Sequence, residues 1–447
     1  MRTAFIVVAT LLTGALALAI ADGLDAQRIS PTARPGSFDE VIEQTRDDLF
    51  VRGRQIFRFD TFGSERFWSG QLRLQQAIAG ARLGGVGAGV SPAAALTAGL
   101  KVDADMVPAQ ILDGIRSGAV DLNDPANTIA LVTARAVVGV MPFGGGNQPL
   151  TIGFTCALCH STVDDSVAPG IGSRLDGWPN RDLNVGAIVS LSPDLTAVAD
   201  LLQVSQDTVR TVLRSWGPGK FDAILFLDGK AFRPDGRTAA TLIPPAYGLA
   251  GVNLHTYTGW GGIPYWNAFV GNLEMHGSGV FYDPRLNDKA KFPVAARAGS
   301  ANVRPGAGGD DGITSRLAAL HYYQLSVPAP TPPAGSFQER AADAGRALFN
   351  DRARCASCHV PPLFTEPGWA MHTAAEIGID DFQSSRSPDN RYRTTPLKGA
   401  WSRAKGGYYH DGRFPTLLSV VEHYNRVFDL RLSATEMNDL VEYLKSL

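Results

Sequence analysis

Two cysteines separated by two residues and followed at once by histidine occur twice in this chain. They stand as Cys156, Ala157, Leu158, Cys159, His160 and again as Cys355, Ala356, Ser357, Cys358, His359. A thiol pair at this spacing can add to the two vinyl groups of a haem while the adjoining imidazole ligates its iron, which is the c-type attachment pattern. Cys-x-x-Cys also serves redox dithiols and halves of zinc sites, but neither chemistry needs histidine at the next position in both copies. The chain has four cysteines and the two motifs consume all of them. The spacing therefore predicts two covalently held haems, with His160 and His359 as iron ligands.

The elements that must position these motifs are mainly helical. Pro108 to Val138 carries helical periodicity broken by a loop at Asp121 to Pro125, Ser205 to Trp216 does the same, and Gly53 to Asp60 reads as a helix end entering a turn. After the first motif, Arg174 and Arg181 are candidate counter-ions for haem carboxylates and Trp178 a candidate ring against the porphyrin. A polar loop with one buried tryptophan accounts for them equally well. The densest aromatic stretch runs from His255 to Tyr282 and includes Trp266, with Glu274, Met275 and His276 in its midst. Such a cluster is either plain core or the wall of a cofactor site.

Pro328, Pro330, Pro332 and Pro333 form a stiff linker. Beyond it Ser336 and Glu339 have capping-box spacing ahead of a helix ending near Asn350, and Ser433 with Glu436 repeats the spacing ahead of a closing amphipathic helix. Gly345 lets two such helices cross closely. The expectation is a mainly α fold of two cytochrome c-like domains, each with one covalent haem, joined by long loops. Its parts are a signal peptide (1–26), a mainly helical N-terminal extension (27–150), a first haem domain (151–327), the Pro-rich linker (328–335) and a C-terminal cytochrome c domain (336–447).

At 447 residues, 45% hydrophobic and 19% charged, the chain has ample material for a core. A net charge of −2 argues against nucleic acid, which needs a basic surface. Arg2, the apolar run Ala4 to Ala21 and the small residues Ala17, Ala19, Ala21 and Ala26 have the form of a secretory signal; an uncleaved N-terminal membrane anchor is the alternative. Either places the body outside the cytoplasm, in the periplasm, where c-type haem is attached in Gram-negative bacteria.

The C-terminal half, over about one hundred residues, resembles the bacterial di-haem cytochrome c peroxidase and MauG superfamily, rubber oxygenases included. The likeness is carried by Gly345-Arg-Ala-Leu-Phe349, Tyr392-Arg-Thr-Thr-Pro-Leu-Lys398, Tyr409-His-Asp-Gly412 and the final helix. The N-terminal half shares only the haem motif and the Gly53 to Asp60 segment. The resemblance implies one haem that reacts with peroxide or oxygen, one that relays electrons, and a tryptophan between them, for which Trp266 is the candidate. It implies a sixth ligand for the His359 haem at Tyr424, where the peroxidases carry methionine and the MauG branch tyrosine; His423 beside it is the alternative. It implies a distal acid near the His160 haem, with Glu274 the first choice and His276 the second. The peroxidases place a removable histidine soon after the first motif. Here the next histidine is His255, so the His160 haem is expected to be five-coordinate. The resemblance also leaves room for Ca2+ on the carbonyls of Lys405 and Gly407.

Three functions follow. The first is an oxidoreductase that reduces hydrogen peroxide, or uses it to oxidise a partner, with a small cytochrome c or cupredoxin as electron donor. The second is an O2-dependent oxygenase acting on an apolar organic substrate. The third is a plain electron carrier.

Overall fold

The computed structural model describes residues 36–145, 148–306 and 309–447. The signal-like segment lies outside them. Among the described residues no helix is long and apolar enough to cross a membrane. Contacts divide the chain into two units, 1–48 and 49–447, and the packing described below is that of the second.

The fold is mainly helical, and among the described residues strands occur only in two-stranded pairs. Helix α1 (Phe38–Phe59) buries Gly53, Ile56 and Phe57. Its Gly53 lies so close to α2 (Thr314–Ser326) that a Cβ there would sit 2.0 Å from the Ala319 carbonyl oxygen. At the C-terminal end of α1 the Asp60 carboxylate accepts from the Phe62 amide, making the turn that the sequence indicates. The Gly144 region proves to be the tip of an antiparallel hairpin, Val140–Gly145 with Gln148–Phe154, which leads directly into the first motif. Pro142 and the glycines hid those strands, because both residue types are poor strand formers.

One core joins Phe67, Leu72, Leu131 and Val137 to Ile152, Leu158, Leu183, Val209 and Ile243. Residues before and after the first motif thus share a single apolar interior. A second core is built only from residues 348 onward: Phe349 of α3 (Glu339–Asn350), Val421 of α4 (Leu417–Val427) and Leu440, Val441 and Leu444 of α5 (Ala434–Ser446). Gly345 has the role its position suggests, since a Cβ on it would meet the Asp439 carbonyl of α5 at 2.0 Å. The Ser433–Glu436 capping box forms. The Ser336–Glu339 box does not: Gln338 is the N-cap and Ser336 Oγ donates to the Pro333 carbonyl instead. A capping box that sequence reasoning missed, Thr416 with Ser419, opens α4.

The C-terminal segment is tied to the region after the first motif by a buried ion network. Arg386 is fully buried and donates from Nε to Asp228 at 2.8 Å and from Nη2 to Asp222 at 3.0 Å. Charge is tolerated there because both carboxylates pair with the same guanidinium and further bonds reach the Ala239 and Lys230 carbonyls.

Candidate haem sites

Each Cys-x-x-Cys-His motif borders its own cavity. One of about 610 Å3 is lined by Cys156, Cys159 and His160, and one of about 860 Å3 by Cys355, Cys358 and His359. Both are of cofactor size. The first motif turns through a short helix, Ala157–His160, straight off the hairpin; the second follows α3 through a 3-10 turn that Arg354 opens in the left-handed region, φ 55°. In both, histidine Nδ1 lies 3.1 Å from a backbone carbonyl, of Pro244 for His160 and of Phe364 for His359. Donation from Nδ1 fixes the tautomer and leaves the Nε2 lone pair for a metal. Burial pushes both imidazoles down to about 4, so each is neutral as a ligand must be.

Burial pushes the thiols of Cys156, Cys159 and Cys355 up to about 12. Redox dithiols do the opposite, holding a thiolate at a depressed pKa. A zinc reading fares little better. Cys358, Glu366 and His372 place donor atoms within 4.8 Å of one another, but a closed zinc site takes four ligands and the thiol here belongs to the haem motif.

The cavity walls match a dianionic macrocycle. Arg181, Arg393 and Arg403 all line the His359 cavity, and among the described residues none has a carboxylate partner. Arg181 Nε and Nη1 and Arg393 Nη1 are buried without any hydrogen bond. Buried guanidinium nitrogens left unpaired are costly, and haem carboxylates are the groups that would satisfy them.

Leu417, Val420 and Tyr424 of α4 face the same cavity, followed by Phe428. Burial raises the Tyr424 phenol above its ordinary range, so only a bound cation would make it ionise. His423 is turned away: its Nε2 donates to the Ile377 carbonyl at 2.9 Å and it lines neither cavity.

In the His160 cavity stand Glu274, Trp266, Asp222 and His255. Burial, then the nearby Asp222 carboxylate, push the Glu274 carboxyl up to about 8. His276 is elsewhere, its ring stacked on Phe67 with centroids 3.6 Å apart. His255, distant in sequence from His160, is brought into the wall of its cavity, 4% exposed, and neither ring nitrogen makes a hydrogen bond of normal geometry. The missing early histidine therefore does not leave this cavity without one.

Other candidates are placed differently. Arg174 donates to Asp103 at 2.9 Å and lines neither cavity. Trp178 packs edge-on against Trp401, 5.5 Å between centroids, and lines neither cavity. Arg181 faces the His359 cavity rather than that of the nearer motif. Trp266 lines only the His160 cavity, stacked on Trp260 at 5.3 Å with Nε1 donating to the Gly261 carbonyl. The residues common to both cavities are Pro244, Pro245, Leu249, Thr256, Tyr257 and Arg393. Tyr257 is the aromatic residue between the sites, and its place in the same aromatic stretch as Trp266 was the one signal for it. At Lys405 and Gly407 no group of three acidic, histidine or cysteine donors gathers among the described residues.

Each cavity thus presents a thiol pair and an Nδ1-anchored histidine, the donor set that a c-type haem takes. The chain is similar to the di-haem peroxidase and MauG superfamily that its C-terminal motifs indicate. The methylamine utilization protein MauG of Methylorubrum extorquens is 30% identical over 155 residues, a match covering 30% of this chain and 43% of that protein. The match thus spans less than half the length of that relative. No family model matches the chain. Among solved structures, hydrazine synthase of Kuenenia stuttgartiensis under xenon pressure aligns with 49% of this chain and 76% of its own, at 19% identity and a TM-score of 0.26, too low to bear on the fold.

Proposed function

We propose that the chain is an exported di-haem c-type oxidoreductase that reduces hydrogen peroxide, or uses it to oxidise a partner, at the His160 site and relays electrons through the His359 site. The observation that carries this is Glu274: a part-buried acid in the wall of the His160 cavity whose carboxyl is pushed up to about 8 and so keeps its proton at neutral pH. Haem bound at His160 supplies an iron to which peroxide or O2 can bind and through which electrons pass. The Glu274 carboxyl then holds a proton for the leaving oxygen, as a general acid does. Reduction of one peroxide to two waters consumes two protons and two electrons, the latter from a small redox donor protein. Tyr257 lines both cavities, and Tyr424, in the wall of the His359 cavity, would offer its phenol oxygen as a further ligand to a haem bound there. Calcium on the carbonyls of Lys405 and Gly407 is retained from the family resemblance alone.

The test is the visible and electron-paramagnetic spectrum of the haem-loaded protein before and after peroxide. One high-spin and one low-spin haem, with the high-spin signal lost on peroxide addition, is expected. Reaction with O2 and an apolar substrate but not with peroxide would establish the oxygenase. Two low-spin haems that bind neither cyanide nor carbon monoxide would leave an electron carrier.

A further inference from the structure

The two cavities differ sharply in their cations. The His359 cavity is lined by Arg181, Arg354, Arg393, Lys398 and Arg403. The wall of the His160 cavity contains two acidic residues, Asp222, already paired with Arg386, and the protonated Glu274, and one guanidinium, that of Arg393. Arg393 is also the charged residue that both cavities share.

Its position is built rather than incidental. The Arg393 amide donates to the Tyr257 carbonyl at 2.9 Å, and Nε donates to the Thr256 carbonyl, also at 2.9 Å. Gly259, at φ 58°, makes room for the side chain, since a Cβ there would lie 3.2 Å from that of Arg393. These contacts leave Nη1 buried with nothing to bond. Burial first, then repulsion from Arg403, lower the guanidinium pKa to about 10, which still keeps it charged at neutral pH. A fixed positive charge with an unused donor, lining two haem-sized cavities, has no carboxylate partner among the described residues.

We propose that Arg393 is the shared counter-ion of both haems, bonding carboxylates from each side of the wall, and that it couples their redox potentials. The inference rests on the two-haem reading above. Oxidation of either iron adds one positive charge, which the common guanidinium feels and which alters its hold on the other haem. Such coupling is reciprocal, so each haem becomes harder to oxidise once the other has been oxidised. Removing the cation takes positive charge from the neighbourhood of both irons and so stabilises the oxidised form of each.

The experiment is a spectroelectrochemical titration of the haem-loaded protein, following the high-spin and low-spin bands separately. Arg393→Gln should lower both midpoint potentials and narrow the gap between the two steps. Arg181→Gln, which alters a cation of the His359 cavity alone, should lower only the low-spin potential. An Arg393→Gln protein in which only one potential moves, or neither, overturns the proposal. If this variant fails to take up haem, Arg393→Lys, which keeps the charge but loses the planar fork, should still move both potentials by a smaller step; a one-sided change overturns the proposal there too. A pyridine haemochrome assay on the parent protein separates the premises: one haem per chain would refute the two-haem reading itself, whatever Arg393 does.

Discussion

Replacing Glu274 with glutamine bears on both stability and chemistry. With its carboxyl raised to about 8 by burial and by Asp222, Glu274 carries its proton about nine-tenths of the time at pH 7, whereas in the unfolded chain it titrates near about 4.3. Between those values the unfolded chain has released a proton that the folded chain keeps, so stability falls as pH rises through this window and levels off above the folded pKa. At pH 7 the penalty is at most about 4 kcal/mol, taking about 1.4 kcal/mol per pKa unit. Glutamine keeps the shape and cannot ionise. Glu274→Gln should therefore melt higher than the parent at pH 7 to 8 and at the same temperature near pH 4. In the same variant the reaction with peroxide should slow by roughly 10²- to 10⁴-fold, because the proton donor is gone. The parent's peroxide reaction should itself weaken as pH rises through about 8. Thermal melts followed by circular dichroism at three pH values, with stopped-flow mixing of peroxide and haem-loaded protein, measure both effects. A variant that melts no higher at pH 8, or that reacts as fast as the parent, refutes the assignment of a buried proton donor.

Four further outcomes follow from the same geometry. Cys355→Ala with Cys358→Ala should leave half the haem per chain on a denaturing, haem-stained gel; retention of both would exclude covalent attachment at the second motif. Tyr424→Met should raise the potential of the low-spin haem and introduce a near-infrared methionine-to-iron band, since a thioether favours reduced iron more than a phenolate does; an unchanged low-spin signal in Tyr424→Phe would remove Tyr424 as ligand. Tyr257→Phe should slow electron exchange between the haems in flash photolysis of the carbon monoxide adduct, and Trp266→Phe should not; the reverse result would restore Trp266 as the relay. Arg386→Met should cost roughly 3–5 kcal/mol in denaturant unfolding, because it strands the buried carboxylates of Asp222 and Asp228; a loss under about 1 kcal/mol, typical of an exposed pair, would contradict that burial.

What the sequence determined by itself is the chemistry that depends on neighbours along the chain. Cys-x-x-Cys-His is a contiguous geometry, so both motifs, each of which lines a cavity in the fold, were legible without a fold. The same holds for the Ser433–Glu436 cap and for the face of α4 that turns Tyr424 toward the cavity while His423, one residue away, points to Ile377. Gly345 was legible too, because a glycine inside a helix next to a second amphipathic helix has few other uses. What only the tertiary structure decided is which residues from separate segments meet in one wall. Arg174 sits closer in sequence to the first motif than Arg393 does, yet Asp103 claims it, while Arg393 reaches the His160 cavity through bonds to the Thr256 and Tyr257 carbonyls. Trp266 and Tyr257 belong to one aromatic stretch, and side-chain type could not say which of them lies between the cavities. Periodicity reports the face of a helix on which a residue lies; the partner that face meets is set by long-range packing, which no local pattern encodes.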